Sequence, residues 1–523
     1  PTGVERAPAQ LTGKKTVVDE DGTVREAFVY DEARKKNFMT APSGVNAAAL
    51  AFAGKHVRRL LRKVMPKGVI EPLTEKEMVS GFSDETGILK KMNPDSSAGS
   101  NFKGLNKDWL DYEKGEMHPQ LRKRTDELEK MARSGKKDWE QVVFKDCLKD
   151  ELRDNAKTDK PRLFAAGPIE FNILIRKYFG RLSAYFMKHR LKTGILIGIN
   201  ATSVEWMDFW ELLRKYPNLF DGDYRFWDGA MRREFQEVLN EELSACQYEE
   251  YRMLALVLLM YLCETLRVGK GMAYITNHSV PSGHGLTALY NSLINKMYVA
   301  YAWYLLVGQH LKMSEEDLLD LFERQVYDPV YGDDIAVGVA EGIKHRFNAI
   351  TYSAVMRDLG IGFTAATKKD HDKPFSSLRD ITFLKRSFMW HPVLNTVVGP
   401  LDLKVLRNTA AYVHDVSRDE EITRQKMDSI QRELFLHPTH IYTTYWRELK
   451  ECFYHAFNTR YEGLTEVEMI SKYHKGLLRD DLFEVSPWLD AESSREPPIR
   501  GQTYHKLIWP SLLANHTTKV SAL

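Results

Sequence analysis

Residues 330–339 read Val-Tyr-Gly-Asp-Asp-Ile-Ala-Val-Gly-Val, two apolar runs separated by a glycine and a pair of carboxylates. Short runs rich in β-branched and aromatic residues on either side of a Gly-Asp pair predict a β-hairpin, with Asp333 and Asp334 at its tip. Two carboxylates at one tip repel each other unless a cation or hydrogen-bond donors hold them. A solvated turn would account for four residues alone, so neighbouring segments carry the decision. Pro329 lies where the first arm should donate a ladder hydrogen bond, which predicts that this arm is shortened or bulged.

A second acidic stretch, Phe-Asp-Gly-Asp-Tyr-Arg-Phe-Trp-Asp-Gly, occupies residues 220–229. A strand ending in a turn there brings Asp223 and Asp228 to one pocket, and period-two alternation puts Asp221 on the face of Asp223. By itself this stretch is equally an acidic loop. Paired with residues 333 and 334 on a neighbouring strand, Asp223 makes an oxygen-only donor set, suited to Mg²⁺ rather than Zn²⁺. Two such ions, roughly 3.5–4 Å apart, serve in-line displacement at phosphorus.

Between the acidic stretches, Pro281-Ser282-Gly283 forms a turn that feeds a helix. Leu286, Leu289, Tyr290, Leu293 and Ile294 repeat at helical spacing and predict an inward face, while Thr287 and Asn291 share another. A capped core helix with a solvated polar stripe explains that pattern. Discriminating a ribose 2′-hydroxyl, however, calls for neutral groups of this kind. Upstream, Lys149, Arg153, Lys157, Lys160 and Arg162 form a basic run whose charge is nearly cancelled by interleaved acids. It reads as a salt-bridged surface loop or as a triphosphate channel.

The whole chain has 523 residues, 74 Lys and Arg against 72 Asp and Glu, and a net charge of +2, so a nucleic-acid surface must come from local clustering. That length predicts two to four domains. Cys147, Cys246, Cys263 and Cys452 form no C-x-x-C pair, as in a protein of a reducing compartment. Met253–Cys263, eleven apolar residues in a row, is too short to span a bilayer and reads as a buried helix segment. The chain starts on Pro1, as a product cut from a longer precursor would. No zinc-protease or serine-hydrolase motif is present.

Along the chain, residues 1–50 read as an extended arm and Lys55–Lys63 as a basic amphipathic helix, solvated or facing RNA. An exposed helix is predicted near 118–139, strands at 141–165, helix over 170–215, and a strand and turn at 217–230. Long helices to about 268, helix again at 340–360, and a helical region after 395 complete an α+β pattern.

Lys-Asp-Glu-Leu-Arg at 149–153, Asp-Tyr-Arg-Phe-Trp-Asp at 223–228, Pro-Ser-Gly-His-Gly-Leu-Thr-Ala-Leu-Tyr-Asn at 281–291, Tyr-Gly-Asp-Asp at 331–334 and Phe-Leu-Lys-Arg at 383–386 follow in that order. Together they resemble the RNA-dependent RNA polymerases of picorna-like positive-strand RNA viruses, with a leaning towards the insect-infecting dicistrovirus or iflavirus type. The resemblance implies an α+β closed right hand, with an antiparallel palm sheet flanked by helices and a mainly helical thumb. Fingers would occupy 1–180 and 231–280, palm 181–230 and 281–395, and thumb 396–523. It implies template-directed RNA synthesis, with Asp223, Asp333 and Asp334 holding two Mg²⁺ ions, or Mn²⁺ in their place. Asp228, Ser282, Thr287 and Asn291 would read the ribose; Lys149, Arg153, Lys157 and Arg162 would grip the triphosphate. Lys368, or Lys369 by counting back from Phe383, would act as general acid; Phe383, Leu384, Lys385 and Arg386 would support the primer end.

Implied partners are RNA template and nascent RNA, NTPs, a genome-linked protein primer and other viral replication proteins, in replication complexes of the host cytoplasm without direct membrane insertion. Two rivals share parts of the pattern: a reverse transcriptase, and a non-catalytic viral RNA-binding protein with a decayed palm. Asp228, where a reverse transcriptase typically carries an aromatic gate, and the intact acidic residues speak for the RNA polymerase.

Overall fold

In the computed structural model, residues 6–19, 21–38, 44–65, 67–365, 369–409 and 419–478 are described. Their backbone divides into two compact units, one within Glu5–Ile197 and Tyr216–Phe375, the other within Gly198–Lys215 and Ser376–Leu523.

The first unit is organised on the strand Asn218–Tyr224, which pairs antiparallel with Asp334–Val339 on one side and Phe363–Thr364 on the other. Pro329 breaks the hairpin's outer arm into Val326–Tyr327 and Val330–Tyr331, as its missing N–H requires. The break is not a bulge. Val326 opposes Val339 and Tyr331 opposes Asp334 in one continuous register. The interrupted arm is held from outside, where Val330 donates to the Gly194 carbonyl at 2.8 Å and accepts from the Leu196 N–H at 2.8 Å.

Gly222 marks a close approach on the other side. A Cβ there would lie 2.2 Å from the Phe363 ring, so only glycine lets the edge strand Phe363–Thr364 settle beside Asp223. The helix Thr287–Leu306 is buried on all sides along residues 289–303, rather than on one face, because it packs against the helix Ala47–Val64, the helix Arg233–Ala245, the helix Ala349–Asp358 and the strand Val330–Tyr331. Its sequence carries a single charged residue, Lys296, which pairs with Asp328 at 2.7 Å in the core.

A second sheet joins Val143–Leu148 to Leu163–Ala166 antiparallel and to Thr265–Gly269 parallel, with Met272–Thr276 at its edge. Helix was expected to about residue 268; it stops at Cys263, and Lys270-Gly271 instead closes a two-residue hairpin with φ of 45° and 76°. The N-terminal segment also departs from an extended arm. Lys14–Val18 and Val24–Phe28 form a hairpin, and Arg6–Pro8 pairs with Leu152–Asp154 inside the basic loop. The expected exposed helix is Pro119–Arg133, with Leu121, Leu128 and Ala132 buried along one face.

Much of the charged stripe of the basic helix is engaged within the molecule, although Arg58, Arg62 and Lys63 stay exposed. Arg59 meets Glu316 and, at 2.6 Å, Asp320; Lys63 meets Glu323 at 2.7 Å; Lys55 meets Glu315; Arg58 meets Glu242 at 2.7 Å. Three of these four basic residues are thus matched by one acidic helix, Glu315–Gln325.

The second unit is helical as expected, with Glu205–Leu213, Asp419–Leu434, Thr439–Phe457 and Glu466–His474, plus a hairpin of Met389–His391 and Thr396–Val398. All four cysteines are free thiols.

Gly222→Ala is expected to destabilise the first unit by about 1–3 kcal/mol through overpacking against Phe363. A thermal midpoint equal to wild type would show that the ring moves aside without cost.

Candidate active site

Gly222 opposes Ile335, so one residue further Asp223 comes level with Asp334, where the hairpin turns. Gly332 takes φ of 64° as the first of two loop residues, the requirement of a type II′ turn. Asp333 follows it at the tip. Its side chain is exposed to solvent, yet neighbouring protein still strips part of the hydration from its carboxyl. Loss of hydration raises its carboxyl above the ordinary carboxylate value, the charge of Asp228 adds to that rise, and Arg162 opposes it. Asp223, Asp228 and Arg162 thereby share one site with Asp333, drawn from three separate stretches of chain.

What holds the tip is a buried polar network. Gly332 donates its N–H to Ser292 Oγ at 2.8 Å and accepts from Asn295 Nδ2 at 3.0 Å. Ser292 in turn donates its hydroxyl to the Ala288 carbonyl at 2.8 Å. Asn295 Oδ1 accepts from the Tyr224 hydroxyl at 2.9 Å, so Tyr352, which faces Tyr224, must donate to it. One helix therefore fixes the hairpin tip and the end of the central strand together.

Asp228 lies in the short helix Trp227–Ala230, and its carbonyl accepts from the Val280 N–H at 3.0 Å, just ahead of Ser282. The turn at 281–283 is pressed onto the strand that follows Arg162: Gly167 donates to the Gly283 carbonyl at 3.0 Å, and a Cβ on Gly283 would fall 2.2 Å from the Ala165 carbonyl. Of the expected ribose readers, Thr287 is engaged inside this turn, donating to the His284 carbonyl at 2.7 Å and accepting the His284 N–H. Asn291 is buried, with its Oδ1 unpartnered. That leaves Asp228, Ser282 and Asn291 as the side chains able to meet a sugar.

In the basic loop, Glu151 collects the cations. Arg162 donates to it through Nε at 2.6 Å and through Nη2, while Lys149 and Arg153 approach within 3.8 and 3.7 Å. Lys157 is exposed beside Asp154. The charges of Asp333 and Asp228 also help to raise the Arg162 pKa, after the Glu151 hydrogen bond. Lys368 falls outside the described residues; Lys369 is exposed, and its carbonyl accepts from Ala365 at 3.0 Å.

Within the second unit, Phe383 and Arg386 close a two-residue turn with paired backbone bonds of 3.0 and 2.9 Å. Leu384 and Lys385 at its tip take φ of 52° and 59°, a type I′ turn built without glycine. Arg386 was expected beside the primer. It is buried instead, in a bidentate pair with Glu433 at 2.7 and 2.8 Å, and secures the turn from beneath. Phe383 is buried too, so of the four Lys385 is exposed and Leu384 half-buried.

Sequence reasoning passed over Ser292, Asn295, Glu151 and Glu433. Asn295 carried one usable signal, a second amide on the helix one turn after Asn291.

No three carboxylate, His or Cys side chains gather as a ready-made metal cluster among the described residues. Mg²⁺ does not need one, since it is commonly held by one or two carboxylates with water and substrate phosphates completing its shell. A carboxyl at a hairpin tip, raised by lost hydration and flanked by an arginine and neutral hydrogen-bonding groups, suits nucleotidyl transfer. The family model for viral RNA-dependent RNA polymerase matches residues 34–446, and the chain belongs to that family.

It is similar to the replicase polyprotein of Cricket paralysis virus, 28% identical over 313 residues, covering 57% of this chain and 17% of that protein. The genome polyprotein of Rice tungro spherical virus is 29% identical over 343 residues, 61% of this chain and 9% of its own length. The chain thus spans less than a fifth of the curated relatives it matches. A solved Sicinivirus 3Dpol RNA dependent RNA polymerase shares the fold, with a TM-score of 0.73 over 91% of this chain and 93% of that one at 18% identity. The fold is the α+β right-hand polymerase fold that the ordered motifs imply.

Because its pKa is raised on folding, Asp333 weakens the metal-free protein once ionised, and that cost fades as pH falls through the carboxylate range. Asp333→Asn is expected to melt above wild type at neutral pH without divalent ions, the gap closing on acidification. A gap that widens instead would reverse the sign of the assignment.

Proposed function

We propose that the chain copies an RNA template from ribonucleoside triphosphates, as the replicative enzyme of a positive-strand RNA virus. The observation that carries this reading is Asp333: exposed at the hairpin tip, raised by lost hydration and by Asp228, opposed by Arg162, and next to Asp334, which comes level with Asp223. Fingers are proposed within 1–180 and 231–280, palm within 181–230 and 281–395, and thumb within 396–523.

Asp223 and Asp333 would hold divalent cations, Mg²⁺ by its preference for oxygen donors or Mn²⁺ in its place, with Asp334 supporting. When bound, such ions activate the primer 3′-hydroxyl and neutralise the leaving pyrophosphate. The protein's own groups do the rest. Lys149, Arg153 and Arg162 turn from Glu151, and Lys157 from Asp154, to the β- and γ-phosphates of the incoming nucleotide, where fixed positive charge is worth most. Asp228 and Asn291 read the 2′-hydroxyl, with Ser282 beside them. The exposed Lys369 or its neighbour Lys368 is placed in sequence to protonate pyrophosphate. Leu384 and Lys385 support the primer end from a turn that Phe383 and Arg386 anchor.

The polymerase acts on RNA and NTPs in replication complexes of the host cytoplasm, with a genome-linked protein primer and other viral replication proteins as partners. No helix among the described residues is long and apolar enough to cross a membrane.

Primer extension on a defined RNA template tests the reading. Asp333→Ala is expected to abolish extension while RNA affinity stays near wild type, since template is held mainly through phosphates; equal extension by both proteins would sink the metal site. Asp228→Ala is expected to erode preference for rNTPs over dNTPs, and full discrimination in that variant would remove Asp228 from sugar reading.

A further inference from the structure

Two non-glycine residues near the sugar-reading groups lie in the left-handed backbone region: Phe226 at φ 53°, two before Asp228, and Ser279 at φ 74°, three before Ser282. Such conformations persist in L-residues only where the surroundings over-determine them. Phe226 is exposed, whereas Ser279 is completely buried.

Every polar group of Ser279 is held. Its N–H donates to the Met231 carbonyl at 3.3 Å, its carbonyl accepts from Gln236 Nε2 at 2.8 Å, and its hydroxyl accepts from Arg267 Nη2 at 3.4 Å. The next residue, Val280, donates to the Asp228 carbonyl. Ser279 is therefore the point at which the turn bearing Ser282 is pinned to the turn bearing Asp228.

Arg267 reaches Ser279 from the fingers sheet. Strand register sets it opposite Tyr274 on one side and Phe144 on the other, with Asp146 two residues along on the same face. Its guanidinium lies 3.6 Å from the Asp146 carboxylate, which also accepts from the Tyr274 hydroxyl; Asn37 donates to Tyr274 at 2.9 Å. Arg267, Asp146 and Asn37 are all buried. An apolar substitute is often at least as stable as such a buried pair, so a role in fixing geometry is the natural reason to keep it here.

We infer that Ser279, locked in the left-handed region by Arg267 and Gln236, is a positioning residue for sugar selection, fixing the separation between Asp228 and Ser282 into which a ribose 2′-hydroxyl fits. The inference rests on the assignment of Asp228 to sugar reading. It separates two effects that a damaged core would merge, because a loosened turn loses discrimination before it loses turnover.

Single-nucleotide extension with rNTP and dNTP substrates, on wild type, Ser279→Gly, Arg267→Met, Arg267→Lys and Asp228→Ala, tests it. Glycine adopts φ near that of Ser279 without strain, so Ser279→Gly is expected to fold with an undiminished thermal midpoint. Its rNTP-to-dNTP efficiency ratio is expected to drop roughly tenfold, the scale of a lost hydrogen bond to a charged group, with rNTP turnover held within about twofold. Arg267→Met should show the same drop, and Arg267→Lys should recover part of it. If Ser279→Gly and Arg267→Met keep the wild-type ratio while Asp228→Ala lowers it, the positioning role is overturned and sugar reading by Asp228 stands. If Asp228→Ala keeps the ratio as well, both fall. Should Arg267→Met fail to fold, Ser279→Gly decides alone.

Discussion

Gly332 gives its amide to Ser292 and its carbonyl to Asn295, and those two bonds make the acidic hairpin tip an extension of a buried helix. A two-residue turn at the end of a strand interrupted by Pro329 has little rigidity of its own. Anchored this way, it inherits the rigidity of Thr287–Leu306, the most enclosed helix in the first unit. Asn291, one turn before Asn295, rides on the same helix, so the acidic hairpin tip and the residue proposed to read the sugar are set by one body. Tyr224 and Tyr352 extend the network to the central strand, and because its members are buried and bonded, it favours a single arrangement.

How much of this could be read in advance divides along a physical line. Local chemistry was legible: the hairpin at Gly332-Asp333, the interruption at Pro329, the turn at Pro281-Ser282-Gly283 and the helix after it follow from neighbouring residues. Non-local bonds were not. Ser292 and Asn295 look like ordinary polar positions in an apolar helix until the backbone they serve, some forty residues downstream, folds against them. Arg386 and Thr287 show the converse: both carry the right chemistry at the expected place, yet Glu433 and the 282–287 turn engage them from within. The basic stripe of Ala47–Val64 was ambiguous for the same reason, its acidic partners lying on a helix far along the chain.

The residues proposed for function are also, in each unit by itself, where the protein departs from what stability alone would favour. Asp333 carries a carboxyl that folding makes harder to ionise, and Leu384, Lys385 and Ser279 adopt backbone conformations in which glycine would be unstrained. Two of these strained residues are at the tip of a turn and one is wholly enclosed. The enclosed one is bonded at every polar atom, which is what it takes to hold a strained backbone still.

Internal matching of charge has one last effect. With Lys55, Arg58, Arg59 and Lys63 already answered by acids of the same molecule, and Glu151 standing among the cations of the loop, these positive groups are not left to grip RNA at random. Under the proposed function that restraint has a use: weak, generic adhesion lets a duplex slip forward after every addition, with firm grip kept for the nucleotide being joined.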